Sequence, residues 1–523
     1  MLMNLINDAW IPVRRKSGVK MKTAPWQITE GLNNDPIIEL AAVRPDFNGA
    51  LIQFLIGLLQ TACPPKGNTE WKEWLDNPPS PEQLKEKFNH IANAFNLNGD
   101  GPRFMQDLTL ENEKILKPWT IDKLLIDSPG EKPLKERTDF FIKRDRIKNM
   151  CQNCAAQALL TLQINGPQGG SGHRVGLRGG GPVTTIVLQD NLWKTAWFNI
   201  LNKDSFDNLA STVKNKVEDK FPWLSETRTS QNDLSTTAQD INAAQIYWSM
   251  PRRIRLIFEH STEKLACELC GEKSESFVRK YLTIGHGVKY QNPIIHPLTP
   301  VYMKDNVILS VLQHEEIGYK HWLGLVQSIA DNNQNKTPAL IINRVFEDFR
   351  LWAFGYDMKQ MKARCWYEGV MPVLVLKDTE KMQEYTADVS SIIKSAKFVS
   401  EKLKFAVKNA LNSKKWLSSI VARYWQETEA DFYNILGNLR EIIKREIIKN
   451  ANEIDPLKQN WQRILARKAE QIFNESSQME SIEMIDVKRV AKAWNEMRKS
   501  IYGKKIKEIL GLPEKKGGEI DGI

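Results

Sequence analysis

The sequence predicts an α+β fold: a large, irregular mixed N-terminal domain with a structural zinc site, followed by an antiparallel four-helix bundle. Three observations carry this. Up to about residue 375, short β-rich runs, turns and a few helices follow one another without strict alternation. After Lys377-Asp378-Thr379, Gly and Pro almost vanish until Gly511. Four of the six cysteines fall into two CxxC pairs. The predicted divisions are 1–378 for the mixed domain, 379–512 for the bundle and 513–523 for a flexible tail.

In the first part, Trp10–Val13, Thr184–Leu188, Arg255–Phe258, Val307–Val311 and Pro372–Leu376 read as strands, with β-branched residues beside turn formers. Segments 49–62, 152–163, 318–330 and 340–354 carry helical periodicity. The order of these elements argues against a doubly wound sheet. In the second part, amphipathic stretches follow at about 382–412, 416–448, 456–474 and 482–510. Within 416–448, Trp416, Ile420, Tyr424, Phe432, Ile435, Leu436, Leu439 and Ile442 return mostly at helical spacing. Long helices joined by short polar breaks describe a bundle; a coiled coil would need stricter heptads.

No run reaches the roughly 18 uninterrupted apolar residues that a membrane span requires. The nearest, Ala50 to Ala62, is broken by Gln53, Gly57 and Gln60 and reads as a buried helix. The N-terminus has no basic region before Asp8, so no signal peptide is read there and a cytoplasmic location is expected. The formal charge is +10, from 73 Lys and Arg against 63 Asp and Glu. From Lys381 onward there are 27 basic and 20 acidic residues, so most of the excess lies in the C-terminal part. That favours an anionic partner without identifying one.

The CxxC pairs are Cys151-Gln152-Asn153-Cys154 and Cys267-Glu268-Leu269-Cys270. Two intervening residues let both sulfurs of a pair face one tetrahedral ion, and two pairs close the site. Redox pairs are the alternative, but redox chemistry needs only one CxxC and an intracellular chain makes little use of disulfides. Four thiolates leave no open position for water, so the zinc is expected to be structural. Cys63 and Cys365 stand alone and read as small buried hydrophobes. Between the pairs lies a glycine-rich run from Asn165 to Thr185, with His173, Arg174 and Arg178 supplying charge beside it. Glycines let backbone approach a ligand closely and turn with positive φ. Chemistry alone leaves two readings, a surface that touches a polyanion and an elaborate structural turn. A nucleotide-binding P-loop is excluded, because no Gly-Lys-Ser/Thr follows.

The run Gly176-Leu177-Arg178-Gly179-Gly180, followed by Pro182-Val183-Thr184-Thr185, resembles the large subunit of type I-E CRISPR Cascade, the CasA family. So do Asn4 to Val13, Arg103-Phe104-Met105-Gln106, His296-Pro297-Leu298-Thr299-Pro300 and both CxxC pairs around the glycine run. The resemblance spans the chain. It implies a non-catalytic subunit of a crRNA-guided complex that works with the other Cascade subunits. Such a subunit reads the protospacer-adjacent motif (PAM) of double-stranded target DNA from the minor groove. It also helps open the duplex for R-loop formation and recruits the helicase–nuclease. Base pairing with the guide then reads sequence while protein reads only the PAM.

Residue by residue, the resemblance matches the family's glycine loop to Gln168, Gly169, Gly170, Ser171 and Gly172, with Ser171 where relatives carry glycine. It matches the strand-splitting wedge to Lys359, Gln360 and Met361, where a polar tip beside an apolar side chain suits an exposed base. A minor-groove lysine finger matches Lys289, with Lys280 the other candidate. Phe140 and Phe141 match a loop that contacts the complex near the guide. No HExxH, GxSxG or clustered-carboxylate pattern for phosphodiester cleavage is present in the sequence. The rival from another class is a zinc-stabilised nuclease or nucleotidyltransferase with unrecognised acids; a bundle serving only as an assembly scaffold is a third reading.

Overall fold

The computed structural model describes residues 2–112, 116–128, 147–170, 172–211, 214–331, 334–345, 347–359, 362–414, 416–445, 451–477 and 486–513. The chain packs into two compact units. One comprises Met1–Glu315, Ala330–Arg344 and Trp352–Glu368; the other comprises Glu316–Ile329, Val345–Leu351 and Gly369–Ile523.

In the first unit β1 (Ile11–Arg15) lies between β2 (Lys20–Thr23) and β3 (Ile37–Leu40), antiparallel to both. Helix α1 (Pro45–Ala62) starts with Pro at its first position and Asp46 in its first turn. It is buried from Gly49 to Gln60, hydrophobic nearly all round, as the interrupted apolar run predicts. Phe54 on α1 meets Trp10, Phe95, Phe104 and Trp248 edge-on at 5.1–5.9 Å, the centre of an aromatic core.

Strands β4 (Trp119–Thr120) and β5 (Met150–Cys151) both pair with β8 (Lys273–Ile284), which forms a long antiparallel hairpin with β7 (Arg253–Ala266). Helix α2 (Gln152–Asn165) follows β5 directly. The Arg103–Gln106 segment ties these pieces together. Gln106 donates to the carbonyl of Leu97 and accepts from the amide of Leu256, while Met105's carbonyl accepts from Gln163 of α2. Asp107 forms a buried ion pair with Arg253 at 2.5 Å, and Thr109 also donates to it. Strand β6 (Thr184–Leu188) borders the hairpin of β13 (Phe349–Lys359) and β14 (Lys362–Val373). A further sheet has the order β10 (Val307–Ser310), β9 (Val301–Lys304), β12 (Gln334–Thr337), β11 (Ile329–Asp331).

The second unit contains helices α3 (Thr379–Leu411), α4 (Leu417–Lys444), α5 (Ala451–Ser477), α6 (Val487–Ile501) and α7 (Lys504–Leu510). Asp378 and Asp486 cap α3 and α6, their carboxylates accepting from the amides of Lys381 and Arg489 at 3.0 Å. Side chains from all five helices share one core that includes Val389, Tyr424, Trp461, Met497 and Ile506. Tyr319 and Trp322 belong to that core as well. Tyr319 stacks on Phe432 at 4.3 Å and its hydroxyl meets Thr428 at 2.6 Å. The second unit thus takes in residues well before the boundary at 379 that composition suggests.

Several readings from the sequence are corrected here. Segment 340–354 is not a helix. It forms a short 3-10 turn, Leu340–Arg344, and then enters β13, where Phe349, Leu351 and Ala353 are buried at alternating positions. The helix expected at 318–330 stops at Gly324, whose φ of +96° no helix accommodates, and the chain returns as β11. The strand expected at 372–376 ends at Val373. Trp416 does not enter the core: it caps α4 with φ +63° and is 65% exposed. Cys365 is exposed and Cys63 half-buried, so neither is a fully buried hydrophobe.

Candidate metal centre and glycine loop

The two CxxC pairs converge. Cys151 closes β5 and is the N-cap of α2, which places Cys154 in the first turn of that helix. Cys267 and Cys270 follow β7 at the tip of the β7–β8 hairpin. Gly271, at φ +77°, donates to the carbonyl of Cys267 at 2.8 Å and reverses the chain, and the amide of Cys267 donates to Glu272. Asn149 and Glu268 lace the two pairs together: Asn149 donates its side-chain amide to Ala266, and the Glu268 amide donates to Asn149.

The four sulfurs lie within 4.8 Å of one another, with Cys151 Sγ and Cys270 Sγ 3.8 Å apart. Four thiolates about 2.3 Å from a tetrahedral ion would stand about 3.8 Å apart along each edge. A disulfide would need about 2.05 Å. This cluster could hold a metal ion. The amide of Cys151 points at Cys267 Sγ at 3.2 Å, and hydrogen bonds from Cys151 first, then Cys154 and Cys270, hold the Cys267 thiol below its ordinary range.

The glycine-rich run begins at the other end of α2, roughly 21 Å from the metal centre given 14 residues at 1.5 Å each. It divides into two parts with different jobs. From Gly176 to Gly181 it is packed structure. A Cβ on Gly176 would stand 2.6 Å from the carbonyl of Ile164, and one on Gly181, at φ +70°, would overlap the carbonyl of Tyr356 in β13. Arg178 is buried with it and donates to Thr184, Thr299 and Gln53. From Gln168 to Gly170 the run is a tip. Gln168 and Gly170 are exposed, and a Cβ on Gly170 meets nothing within 4 Å. The amide of Gly169 donates to the carbonyl of His173, and His173 donates back to Gly170, which closes the turn.

Sequence reasoning passes over the residues that support this tip. Arg252 donates to the carbonyl of Pro167 and packs under Gly166 and Gly169. Gln163 fixes Arg252 by accepting its amide and donating to its carbonyl, both at 3.0 Å. His286 donates its amide to the carbonyl of Gly172 at 2.8 Å, and its ring leaves no room for a side chain there. No sequence motif marks Arg252, Gln163 or His286, since each works through the backbone of a distant segment.

The charges expected beside the loop are mostly withdrawn. Arg178 is buried, Arg174 is hydrogen-bonded to Ser230 at 2.7 Å, and burial, followed by the charge of Arg252, lowers the His173 pKa to about 4. His173 is therefore neutral at pH 7. Lys289 lies three residues past His286, and its carbonyl accepts from the amide of Thr236. Its Nζ pairs with Asp233 at 2.7 Å on the surface. Lys280 is exposed in the middle of β8, opposite Ile257 and Thr120.

Lys359 is the last residue of β13 and Lys362 the first of β14, so Gln360 and Met361 lie between them in sequence. Those two residues, with Ser171, Phe140 and Phe141, lie outside the described residues. The ends of β13 and β14 nearest that connection are braced by Arg364 on Asp357 at 2.6 Å and by Tyr356, whose hydroxyl donates to Asp46 at 2.6 Å.

An α+β unit with a four-cysteine centre and a two-part glycine segment, joined in one chain to a helical unit, matches a family already defined. The model of CRISPR-associated protein Cse1 covers residues 4–472, and the chain belongs to that family. Its fold is similar to that of CasA from Thermus thermophilus, at 16% identity over 98% of this chain and 100% of that one, with a TM-score of 0.64. It is similar too to Cse1 from Acidimicrobium ferrooxidans, at 13% identity over 96% of this chain and 98% of that one, with a TM-score of 0.65. A chain of a CRISPR RNA-guided surveillance complex matches at 16% identity over 96% and 100%, with a TM-score of 0.68. At these identities the likeness is one of fold. No helix among the described residues is long and apolar enough to cross a membrane.

Proposed function

We propose that this chain is the non-catalytic large subunit of a crRNA-guided type I-E Cascade complex. In this reading it recognises the PAM in duplex DNA from the minor groove, helps open the duplex and recruits the helicase–nuclease. The observation that carries the reading is the glycine tip. An exposed turn at Gln168–Gly170, two of its three residues glycine, is held on Arg252 and bonded through Gly172 to the segment bearing Lys289. Backbone presented in that way suits the narrow minor groove, where few donor patterns are available to read. The Lys359–Met361 turn would enter the first base pairs beyond the PAM, with Lys280, Phe140 and Phe141 as further contacts to the duplex or the complex. Zinc would fill the four-cysteine centre and fix the β7–β8 tip to the start of α2.

The test uses the assembled complex. Gln360→Ala should weaken target-duplex binding at least tenfold, about 1.4 kcal/mol, while leaving assembly intact. Unchanged binding and unchanged PAM preference would leave only the scaffold reading. Robust DNA cleavage by the isolated chain would instead favour the nuclease.

A second expectation concerns the exposed Lys488, Lys492 and Lys499 of α6. If these touch phosphates, replacing all three by Gln should flatten the salt dependence of duplex binding by roughly 0.9 for each phosphate no longer neutralised. PAM choice should stay the same, since phosphate contacts carry no sequence information. A changed PAM preference would contradict this assignment.

A further inference from the structure

Arg178 is a buried cation with no carboxylate partner among the described residues. Its Nη1 donates to Thr299 Oγ1 at 2.7 Å and Thr184 Oγ1 at 3.0 Å, and its Nη2 donates to Gln53 Oε1 at 2.5 Å. All three acceptors are neutral. Burying an unbalanced charge is costly even where its hydrogen bonds are made. Beside it lies a small cavity lined only by buried residues, among them Gln53, Arg178, Tyr247, Ser249 and His296. The cavity leaves about 10 Å³ for the centre of a water-sized sphere, so its scale is that of a single small occupant.

The polar side chains around this cavity carry no negative charge, and the one amide oxygen among them, Gln53 Oε1, already accepts from Arg178. The hydroxyl of Tyr247 is buried and has no hydrogen-bond partner. The amide of Leu298 donates to His296 Nδ1 at 3.1 Å, which places the ring's proton on Nε2. Burial, reinforced by the charge of Arg178, holds His296 well below its usual range, so the ring is neutral and adds no second charge. Tyr247 and His296 meet edge-on at 4.9 Å. A site with one positive charge, an unanswered O–H and a further N–H has no negative charge to answer them. A cation would be repelled, and a lone water would leave the charge unbalanced.

We infer that this cavity binds one monatomic anion of chloride size, which neutralises Arg178 and accepts from Tyr247 and His296. The anion would pin the buried half of the glycine run to Gln53 of α1 and to the 296–299 turn.

Two measurements on the full chain test this. Crystals soaked in bromide should show one anomalous peak within hydrogen-bond reach of the Arg178 guanidinium. In solution, exchanging gluconate for chloride at constant ionic strength should raise the melting temperature with a saturating dependence on chloride. Tyr247→Phe keeps the packing and removes one donor, so it should raise the half-saturating chloride concentration at least threefold. A water at the position in saturating bromide would overturn the inference. So would a chloride response that is absent, or identical in wild type and Tyr247→Phe.

Discussion

Replacing Cys267 by serine should remove the metal proposed for the four-cysteine centre and lower the chain's unfolding free energy by roughly 3 kcal/mol or more, the scale on which structural zinc acts. The reason is geometric. Cys267 and Cys270 sit at the tip of a hairpin whose outer half has little apolar support of its own, since His260 to Lys264 is largely exposed. What fastens that tip to β5 and α2 is a handful of hydrogen bonds and the four converging sulfurs. Serine offers a harder and far less acidic ligand, so the tetrahedral site loses a corner and three thiols, two of them buried, are left around an incomplete shell. Metal content should fall from about one equivalent to well below half. Hydrogen exchange should accelerate in β5, at the hairpin tip and in the first turn of α2. Exchange at Gly176–Gly181 should change little, because the length of α2 separates it from the sulfurs. An unchanged metal content, or a stability loss under about 0.5 kcal/mol, the usual range for a surface substitution, would show that the cysteines do not form a metal centre.

This would confine the proposed metal's role more narrowly than the cysteine spacing does. In sequence the pairs flank the glycine run, which suggests an ion that sets two reading segments in register. In space the ion would sit at the start of α2 and the far end of β8, whose 12 residues span roughly 40 Å. Both elements would transmit its effect as rods.

The distinction shows which features the sequence exposes. Spacing rules that act within a few residues survive folding intact. The CxxC pairs meet, α1 and β6 fall where their patterns place them, and helices cover most of each amphipathic stretch after 379. The longest strands are the least legible. Strand β7 is visible only at Arg255–Phe258, because its outer half faces solvent and carries no apolar alternation. In β13 the run Phe354–Tyr356 is buried on both faces, which a helical period fits equally well. Residues that hold the glycine loop escape for another reason. Gln163, Arg252 and His286 bond to backbone in segments far along the chain, and backbone partners impose no residue type on the sequence that receives them. Arg178 shows the reverse: its side chain is plain in the motif, yet its burial is a tertiary fact.

Two glycines of the same run should give opposite results when each is changed to alanine, and the contrast separates fold from recognition. At Gly181, φ is +70° and the new Cβ would overlap the Tyr356 carbonyl, so strand β13 or the loop must move. Positive φ alone costs a β-carbon roughly 1–2 kcal/mol, and the collision with fixed backbone adds to it. Gly181→Ala should therefore lose about 3 kcal/mol or more of stability and yield little soluble protein. At Gly170 there is open space and no positive φ, so alanine should leave the melting temperature within about a degree. A bound duplex would fill that space. If the Gln168–Gly170 tip lies in a minor groove, the methyl group stands between backbone and base edges. Gly170→Ala should then weaken binding of PAM-containing duplex by the assembled complex at least fivefold, about 1 kcal/mol, and a larger side chain should weaken it further. A Gly170→Trp complex that assembles and binds its target as tightly as wild type would remove the tip from the interface. The wedge turn and the lysines would then have to carry recognition without it.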